Sequence, residues 1–489
     1  MSTDTKAEKN QNFFGRDKEK TKILLVAVSV LIALLFTVLP LGLTHEAQVT
    51  LAIFVFTALI WVFEVMPLGV SAVLFGVLLT VIVGSKIMPP SIVFGGFANS
   101  TLWLMVGAFL LGEATTKTGL SDRIALSIIR LGGSSYIRIL LFIWLANLVL
   151  ALLVPSGTAR LAAQIPIMVG IVNAYKAPIG SRFSANLLLH VFCGGSTWAS
   201  VYWYTGTTIN VIAMNSVEAI TGYLPSFLTW FIWMIVPASL LGLGMWFIIQ
   251  WSMPPEKEII ANAGSVDAIE KRLSEMGAIK AEEKRVAGYF IITILLWFTE
   301  PFHHIPSAWV AIGAGTLVFL PYIGVLKGKS LNNIPWDIVL LLGIALGMDG
   351  VMKSVGLNTW VIEKLLDPIL GPLTGFGTLG LAFGIAVFVA ICHFVMPSSI
   401  AEASLLCPLI ANYAHINGFD VSMASVVAAR SAQNLFIFPY QTLPLIVLWG
   451  TGFMNMKQCI KSCGALAVFN LIWITAMGPY WIWIMNLVK

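Results

Sequence analysis

The sequence predicts an all-α integral membrane protein with about 11 transmembrane helices and two re-entrant hairpins in an inverted repeat. Of its 489 residues, 58% are hydrophobic and 10% are charged, and the mean hydropathy is +0.90. These values lie far outside those of soluble domains. Long apolar runs approach or reach the roughly 20 residues that a helix needs to cross a bilayer, and the alternating pattern of barrel strands is absent. Two of the runs are interrupted by a proline, at Pro155 and Pro397.

Hydrophobicity and helix breakers together place the elements in order along the chain. The first 22 residues are rich in Lys and predict a cytosolic tail rather than a cleaved signal peptide. The segments 137–174 and 374–413 are predicted to be pairs of short helices that enter and leave the membrane on one side. Most basic residues then fall in cytoplasmic loops, which predicts a plasma-membrane protein with a cytosolic N-terminus and an external C-terminus. Full spans are predicted near residues 23–43, 47–65, 70–87, 91–118, 185–213, 224–251, 286–302, 307–324, 336–362, 420–450 and 462–486.

The two halves of the chain resemble each other. The string LIWVFE recurs as LLWFTE, and the pair Pro155-Ser156 returns as Pro397-Ser398. Each of these serines is followed ten residues later by another proline. An odd number of predicted crossings separates equivalent points, so the repeat is expected to be inverted. Inverted repeats with broken helices are typical of secondary transporters.

The predicted hairpin tips carry the candidate binding chemistry. A tip in mid-membrane is tolerated only against protein or a watery cavity. The hydroxyls at each tip, and the N-terminal N–H groups of the helix that follows, suit a carboxylate. Two such tips predict one for each end of a dicarboxylate. The candidate tip residues are Ser156, Gly157, Thr158, Ser398, Ser399 and Ile400.

Each hairpin is followed by a span that is predicted to break as well. The strings YTGTTIN (204–210) and FPYQTLP (438–444) contain Gly or Pro, which interrupt helical hydrogen bonding. A single Pro-Ser pair or membrane Thr is more often a kink or a backbone-bonded side chain, but four breaks in matching order favour a site. The further candidate residues are Thr207, Asn210, Thr442 and Pro444.

Two basic side chains near the tips are candidates for charge compensation. Arg160 is an ionised group in mid-membrane, which is costly and normally functional. The alternative is a structural ion pair with Glu402, since both residues lie four positions after their tip serine. His393 is either a second compensating group when protonated or a hydrogen-bonded core histidine.

These motifs resemble the divalent-anion/sodium symporter family, the INDY-type carriers of di- and tricarboxylates, from about residue 20 to the end. PSGT and PSSI stand where that family has its Ser-Asn-Thr tips, and TGTTIN and PYQTLP resemble its post-hairpin patterns. The resemblance implies a homodimer in which a transport domain slides against a scaffold domain in an elevator mechanism. It also implies that Ser156, Thr158, Ser398, Ser399, Thr442 and Pro444 neighbour the substrate.

That resemblance also implies a division of the chain. It gives a cytosolic tail (1–22), scaffold helices (23–90, 224–251, 286–335 and 456–489), a cytosolic linker (252–285), and the two halves of the transport domain (91–223 and 336–455).

The departures from the family pattern concern sodium. Gly157 and Ser399 replace both tip asparagines, Ile400 replaces a tip threonine, and the TAR after the first tip is most like the cation-independent exchanger branch. A fixed Arg160 would carry bare charge through the membrane when no dianion is bound, at a cost of at least about 2.5 kcal/mol. We therefore expect sodium-independent exchange of C4 or C5 dicarboxylates.

The alternatives are sodium-coupled symport of a dicarboxylate or citrate and, on weaker grounds, an anion channel. The preferred anion is not ranked, and sulfate or phosphate also fits. An enzyme is not expected, since no catalytic constellation is visible, and neither are a resident metal or other cofactor. The net charge of +5 needs no nucleic-acid partner, because basic cytoplasmic loops account for it.

Overall fold

The computed structural model describes residues 4–63, 65–261, 267–396 and 398–488. This part of the chain contains helices and no β-strand, which confirms the all-α prediction. The helices are α1 (Asp4–Val38), α2 (His45–Val62), α3 (Leu68–Leu78), α4 (Pro90–Val93), α5 (Ser100–Thr118), α6 (Leu120–Arg130), α7 (Tyr136–Leu153), α8 (Gly157–Ala174), α9 (Arg182–Phe192), α10 (Ala199–Tyr202), α11 (Thr208–Thr221), α12 (Phe227–Ser252), α13 (Lys257–Ala261), α14 (Asp267–Glu275), α15 (Ala281–Phe298), α16 (Glu300–His303), α17 (Ser307–Leu317), α18 (Trp336–Ala345), α19 (Met348–Ser354), α20 (Leu357–Val361), α21 (Asp367–Thr374), α22 (Gly377–Val395), α23 (Ser399–Ile416), α24 (Val421–Asn434), α25 (Leu443–Trp449) and α26 (Met456–Leu487).

Local chemistry sets many helix ends. The Ser226 side chain accepts the Thr229 N–H at 3.1 Å and caps α12, and Asn99 caps α5 in the same way. Helix α5 ends at Gly119, whose φ of 82° favours glycine. Three π-helical segments interrupt the regular helices, at Leu79–Val83, Cys193–Trp198 and Ile362–Leu366.

The chain divides into two compact units. One comprises residues 1–98 and 336–364. Within it the Gly69 N–H donates to the Asp337 carboxylate at 2.7 Å, and the Trp360 indole N–H donates to the Leu41 carbonyl at 2.8 Å. These bonds tie the early helices of this unit to its later segment.

The other unit comprises residues 99–335 and 365–489 and contains both predicted tips and both later breaks. Its long helices α12 and α26 are joined by the Trp473 indole, which donates to the Pro237 carbonyl at 3.0 Å. The predicted division into scaffold and transport domains stays a prediction.

Six helices in the described residues are long and apolar enough to cross a membrane, or seven with a bent pair. They include both first arms of the predicted hairpins, α7 and α22. All four arms (α7, α8, α22 and α23) have 18 or 19 residues, so they are longer than the short helices predicted. The count of about 11 spans, the inverted repeat and the re-entrant path stay predictions.

The predicted span at 336–362 is not one continuous helix, and its crossing of the membrane stays a prediction. The helices from Trp336 to Ser354 and from Leu357 to Thr374 meet at a bend of 92°. Gly356 stands at this bend with a φ of 70°, which ends the first helix as a left-handed glycine does. The predicted span at 91–118 is likewise interrupted, since the short helix α4 and a 3-10 turn at Gly95–Ala98 precede the long helix that begins at Ser100.

Candidate substrate site

The first predicted tip is a real break between two helices. Helix α7 ends at Leu153 and α8 begins at Gly157, with Ser156 extended between them (φ −104°, ψ 111°). Proline at position 155 removes a backbone donor there. The Ser156 Oγ accepts the Ala159 N–H at 3.3 Å, so the serine caps α8. The segment is therefore not the continuous helix that would have excluded a tip.

The second tip has nearly the same backbone. Helix α22 ends at Val395 and α23 begins at Ser399, and Ser398 has φ −107° and ψ 105°. The Ser398 Oγ accepts the Ala401 N–H at 3.3 Å, as its counterpart does. Pro397, predicted to cause this break, lies outside the described residues. The tips thus match in conformation and capping.

The tip residues combine partial exposure with an apolar base. All six tip candidates are half-buried. Behind the first tip, Leu153 and Val154 belong to a buried cluster with Leu111 of α5 and Phe290 of α15. Each serine leaves other N–H groups of the next helix's first turn free for an anion. The first tip therefore rests on protein and presents a polar edge.

Arg160 lies just below the first tip and is 2% exposed. One terminal nitrogen donates to the carbonyls of Val154 and, at 3.2 Å, Gly206. The other donates to the Gly195 carbonyl at 2.9 Å and the Ser200 Oγ at 2.6 Å. The guanidinium therefore fills a cage of three backbone carbonyls and one hydroxyl, which joins the tip to a π segment and to the break that follows.

Glu402 does not pair with Arg160, so that alternative is wrong. Glu402 instead contacts His393, with Nδ1 and Oε2 at 2.5 Å. Glu402 and His393 are 0% and 1% exposed. His393 thus joins the two arms of the second hairpin beneath their tip.

The two later spans break as predicted, and their breaks match. A 3-10 turn at Tyr204–Gly206 leads to Thr207, and one at Pro439–Gln441 leads to Thr442. Both threonines are extended, and each precedes the next helix. Thr207 is half-buried and Thr442 is 7% exposed.

Pro444 and Asn210 have structural roles within the protein, and their predicted contact with substrate stays a prediction. Pro444 lies in the first turn of α25, where proline is tolerated, so it begins a helix instead of interrupting one. The Asn210 amide donates to the carbonyls of Ser200 at 2.9 Å and Trp203 at 2.8 Å. Its carbonyl accepts a bond from Arg430. The side-chain amide therefore uses both of its hydrogens in bonds within the protein.

Arg430 is a buried charged residue next to the candidate site residue Asn210, and the sequence analysis missed it. It lies on α24, is 0% exposed, and has no hydrogen-bond partner within the described chain for Nε or Nη1. On the same helix, the Gln433 amide donates to the Ser196 carbonyl at 2.7 Å. Ser196 in turn lies beside Gly157, because a Cβ on that glycine would be 3.3 Å from the serine Oγ. A charged residue in an otherwise buried helix was the available signal.

The side chains and backbone carbonyls near the tips determine which metal ion the site could hold. Within the described ranges no group of three His, Cys, Asp or Glu side chains could hold a metal. The carbonyl cage at the first tip is the kind of oxygen set that alkali ions take, but Arg160 already fills it. That cage therefore does not fit sodium while Arg160 is present.

Known proteins resemble this chain over most of its length. The profile of the family described as "Sodium:sulfate symporter transmembrane region" matches residues 18–487. A "Membrane protein" of Cupriavidus necator is 25% identical over 481 residues, covering 94% of this chain and 92% of that one. The "Sodium-dependent dicarboxylate transporter SdcS" of Staphylococcus saprophyticus is 26% identical over 452 residues, covering 88% and 84%.

The fold also has a solved neighbour. The YdaH transporter of Alcanivorax borkumensis superposes with a TM-score of 0.56 at 15% sequence identity. The match covers 80% of this chain and 87% of that one. At this identity the likeness extends to the fold alone.

Proposed function

Because the chain belongs to the sodium:sulfate symporter family, it is a multi-pass membrane transporter and not an enzyme, and we propose that it carries C4 or C5 dicarboxylates in symport with sodium. Sodium coupling is the alternative of the sequence analysis, and the names of the relatives favour it over sodium-independent exchange.

The matched tips carry the dicarboxylate part of the proposal. Each tip offers a half-buried serine that caps a helix of 18 residues, and the two serines have the same conformation within a few degrees. A helix N-terminus binds an anion through its free N–H groups and its positive dipole end. Two such ends suit a molecule with a carboxylate at each end, such as succinate, malate, fumarate or 2-oxoglutarate. Homodimer formation and an elevator motion belong to the same proposal.

Uptake by proteoliposomes tests this proposal. Labelled succinate should enter vesicles in a saturable way, driven by an inward sodium gradient, and unlabelled malate should compete. Sulfate and butyrate serve as comparison anions, one without carboxylates and one with a single carboxylate. Uptake that sulfate blocks and malate does not would overturn the dicarboxylate assignment.

Sodium-independent exchange is the second candidate, and the Arg160 cage favours it. A guanidinium that fills an oxygen cage cannot be released or deprotonated. Carrying that charge across hydrocarbon without a dianion costs at least about 2.5 kcal/mol, which slows the empty return about fiftyfold or more. A bound dianion offsets this positive charge, so exchange would be faster than net uptake.

Two measurements separate the candidates. Exchange predicts rapid counterflow of labelled succinate in sodium-free vesicles and weak net uptake with or without a sodium gradient. Symport predicts weak counterflow in sodium-free vesicles and strong net uptake when a sodium gradient is present. In addition, Arg160→Ala should empty the oxygen cage, so exchange predicts that sodium stabilises this variant against heat more than it stabilises wild type. Arg130→Ala, at an exposed site, is the matched control.

A further inference from the structure

We propose that the buried pair of His393 and Glu402 is a proton-binding site, and that binding of a dicarboxylate at the second tip takes up one proton there. This inference rests on the proposed transport of dicarboxylates. It adds a coupled proton, which neither the relatives' names nor the tip geometry include.

The pair occupies a position from which it can sense the tip. His393 lies in the last turn of α22 and Glu402 in the first turn of α23, on either side of Ser398. Their side chains meet at 2.5 Å, so they bridge the two arms. The His393 backbone carbonyl also accepts a bond from the Gln441 side-chain amide at 3.4 Å. The side-chain oxygen of Gln441 caps the nearby break by accepting the N–H groups of Ile437 and Phe438. A change of charge at the pair therefore acts on the second tip and on the break that precedes α25.

One oxygen of the pair has no partner. Glu402 Oε1 is buried and accepts no hydrogen bond from any described residue. A buried carboxylate oxygen without a donor is costly as part of an anion, and a proton bound to the carboxyl removes that cost. The pair therefore has room for a second proton in addition to the one shared between Nδ1 and Oε2.

Other polar and titratable groups lie around the pair on each neighbouring element. Cys392 on α22 and Cys407 on α23 lie within electrostatic reach of the Glu402 carboxylate. Arg430 on α24 lies within reach of the Cys407 sulfur. The 3-10 turn before α25 contributes Gln441, whose side-chain amide donates to the His393 carbonyl.

The two tips thus differ in the kind of charge behind them. Four residues after its serine, the first tip has Arg160, a permanent cation, and the second has Glu402. With one proton the pair is neutral, and with two it carries +1. A dianion between the tips would then meet one fixed and one acquired positive charge.

Thermodynamic linkage makes this coupling reciprocal. A substrate carboxylate near Ser398 adds negative charge next to the pair and increases its affinity for a proton. The bound proton must increase the affinity for substrate by the same factor. The step adds a proton from solvent to the Glu402 carboxyl and breaks no covalent bond in the protein or substrate.

Calorimetric titration with fumarate tests the proposal. Both carboxyls of fumarate are ionised between about pH 6 and 8, so any proton change belongs to the protein. Titrations in two buffers of different ionisation enthalpy count the protons. We expect close to one proton taken up per fumarate bound by wild type, and none by Glu402→Gln, which keeps the shape and a hydrogen bond to His393.

Controls make each outcome decisive. Glu113→Gln, at an acid of α5 that accepts from Asn333, should keep the proton count of wild type. If Glu402→Gln does not fold, the wild-type affinity still tests the idea, because linkage to one proton weakens it by up to about tenfold for each unit of increasing pH. Fumarate binding with no proton uptake and no pH dependence overturns the proton site alone. No binding of any dicarboxylate overturns the proposed function as well.

Discussion

Replacing Arg160 with methionine tests whether this side chain organises the first tip. Methionine keeps an apolar chain of similar length but donates no hydrogen bond. The change leaves four acceptors without their charged donor, namely the carbonyls of Val154, Gly195 and Gly206 and the Ser200 hydroxyl. At the low end of about 1 kcal/mol for each buried group left unpaired, the loss of stability is at least about 4 kcal/mol.

Arg130→Met is the matched control. Arg130 lies on α6, forms one ion pair with Glu270 at 3.6 Å, and has a side chain that is 58% exposed. Loss of such a pair costs at most about 1 kcal/mol. Arg160→Lys, which keeps the charge but not the planar set of donors, should fall between the two variants.

The assay is unfolding of the purified protein in detergent, by heat and by denaturant, with dicarboxylate binding followed in parallel. Arg160→Met should unfold well before Arg130→Met and should lose binding, because Val154 and Gly206 shape the tip and the next break. If the two methionine variants unfold together and both bind substrate, Arg160 does not hold these segments in place.

Three further predictions concern other parts of the structure. Ser156→Ala and Ser398→Ala should each lose about 1 kcal/mol of stability and weaken succinate affinity about tenfold. Ser226→Ala, which removes an equivalent cap on α12, should lose only stability. Equal succinate affinities in all three variants would show that the tip serines do not contact the substrate. Gly195→Ala should destabilise the protein by about 1 to 3 kcal/mol, because the new Cβ would lie 2.5 Å from Leu161 Cδ2. In the control Gly288→Ala the new Cβ has no neighbour within 4 Å, so this variant should be neutral or stabilising in a melting experiment. A neutral Gly195→Ala would show that the π segment can move. Burial disfavours the Glu283 carboxylate, but hydrogen bonds from Arg123 and the Lys280 backbone outweigh burial and hold the pKa of Glu283 below its ordinary 4.5. The contribution of Glu283 to stability should therefore be present above about pH 4.5 and disappear as pH falls through the lower folded-state pKa. Glu283→Gln should lose about 2 kcal/mol of stability at neutral pH, which denaturant titrations would detect by comparison with the exposed control Glu270→Gln.

The fold class and the breaks could be predicted because they follow from strong local rules. Long apolar runs leave helices as the main solution in a membrane, and proline or glycine interrupts a helix wherever it stands inside one. The breaks at the first tip, at Gly206 and at Pro439 were all visible in this way. The bend at Gly356 was missed because an apolar run of suitable length hid a single glycine.

The partners of buried polar groups could not be predicted from the sequence. Equal spacing after the two tip serines suggested that Arg160 and Glu402 pair, but spacing along the chain does not fix distances between helices. Arg160 instead bonds to backbone carbonyls at the first tip, at a π-helical segment and at the break near Gly206. Arg430 was detectable as a charge in an apolar segment, but its contact with Asn210, which is distant in sequence, became visible only in the folded chain.

The most direct test of this account is a cryo-electron microscopy map of the protein in lipid with bound succinate. We expect density for one succinate, with one carboxylate within hydrogen-bond distance of Ser156 or Thr158 and the other beside Ser398 or Ser399. Succinate bound elsewhere, or either tip facing lipid, would contradict it.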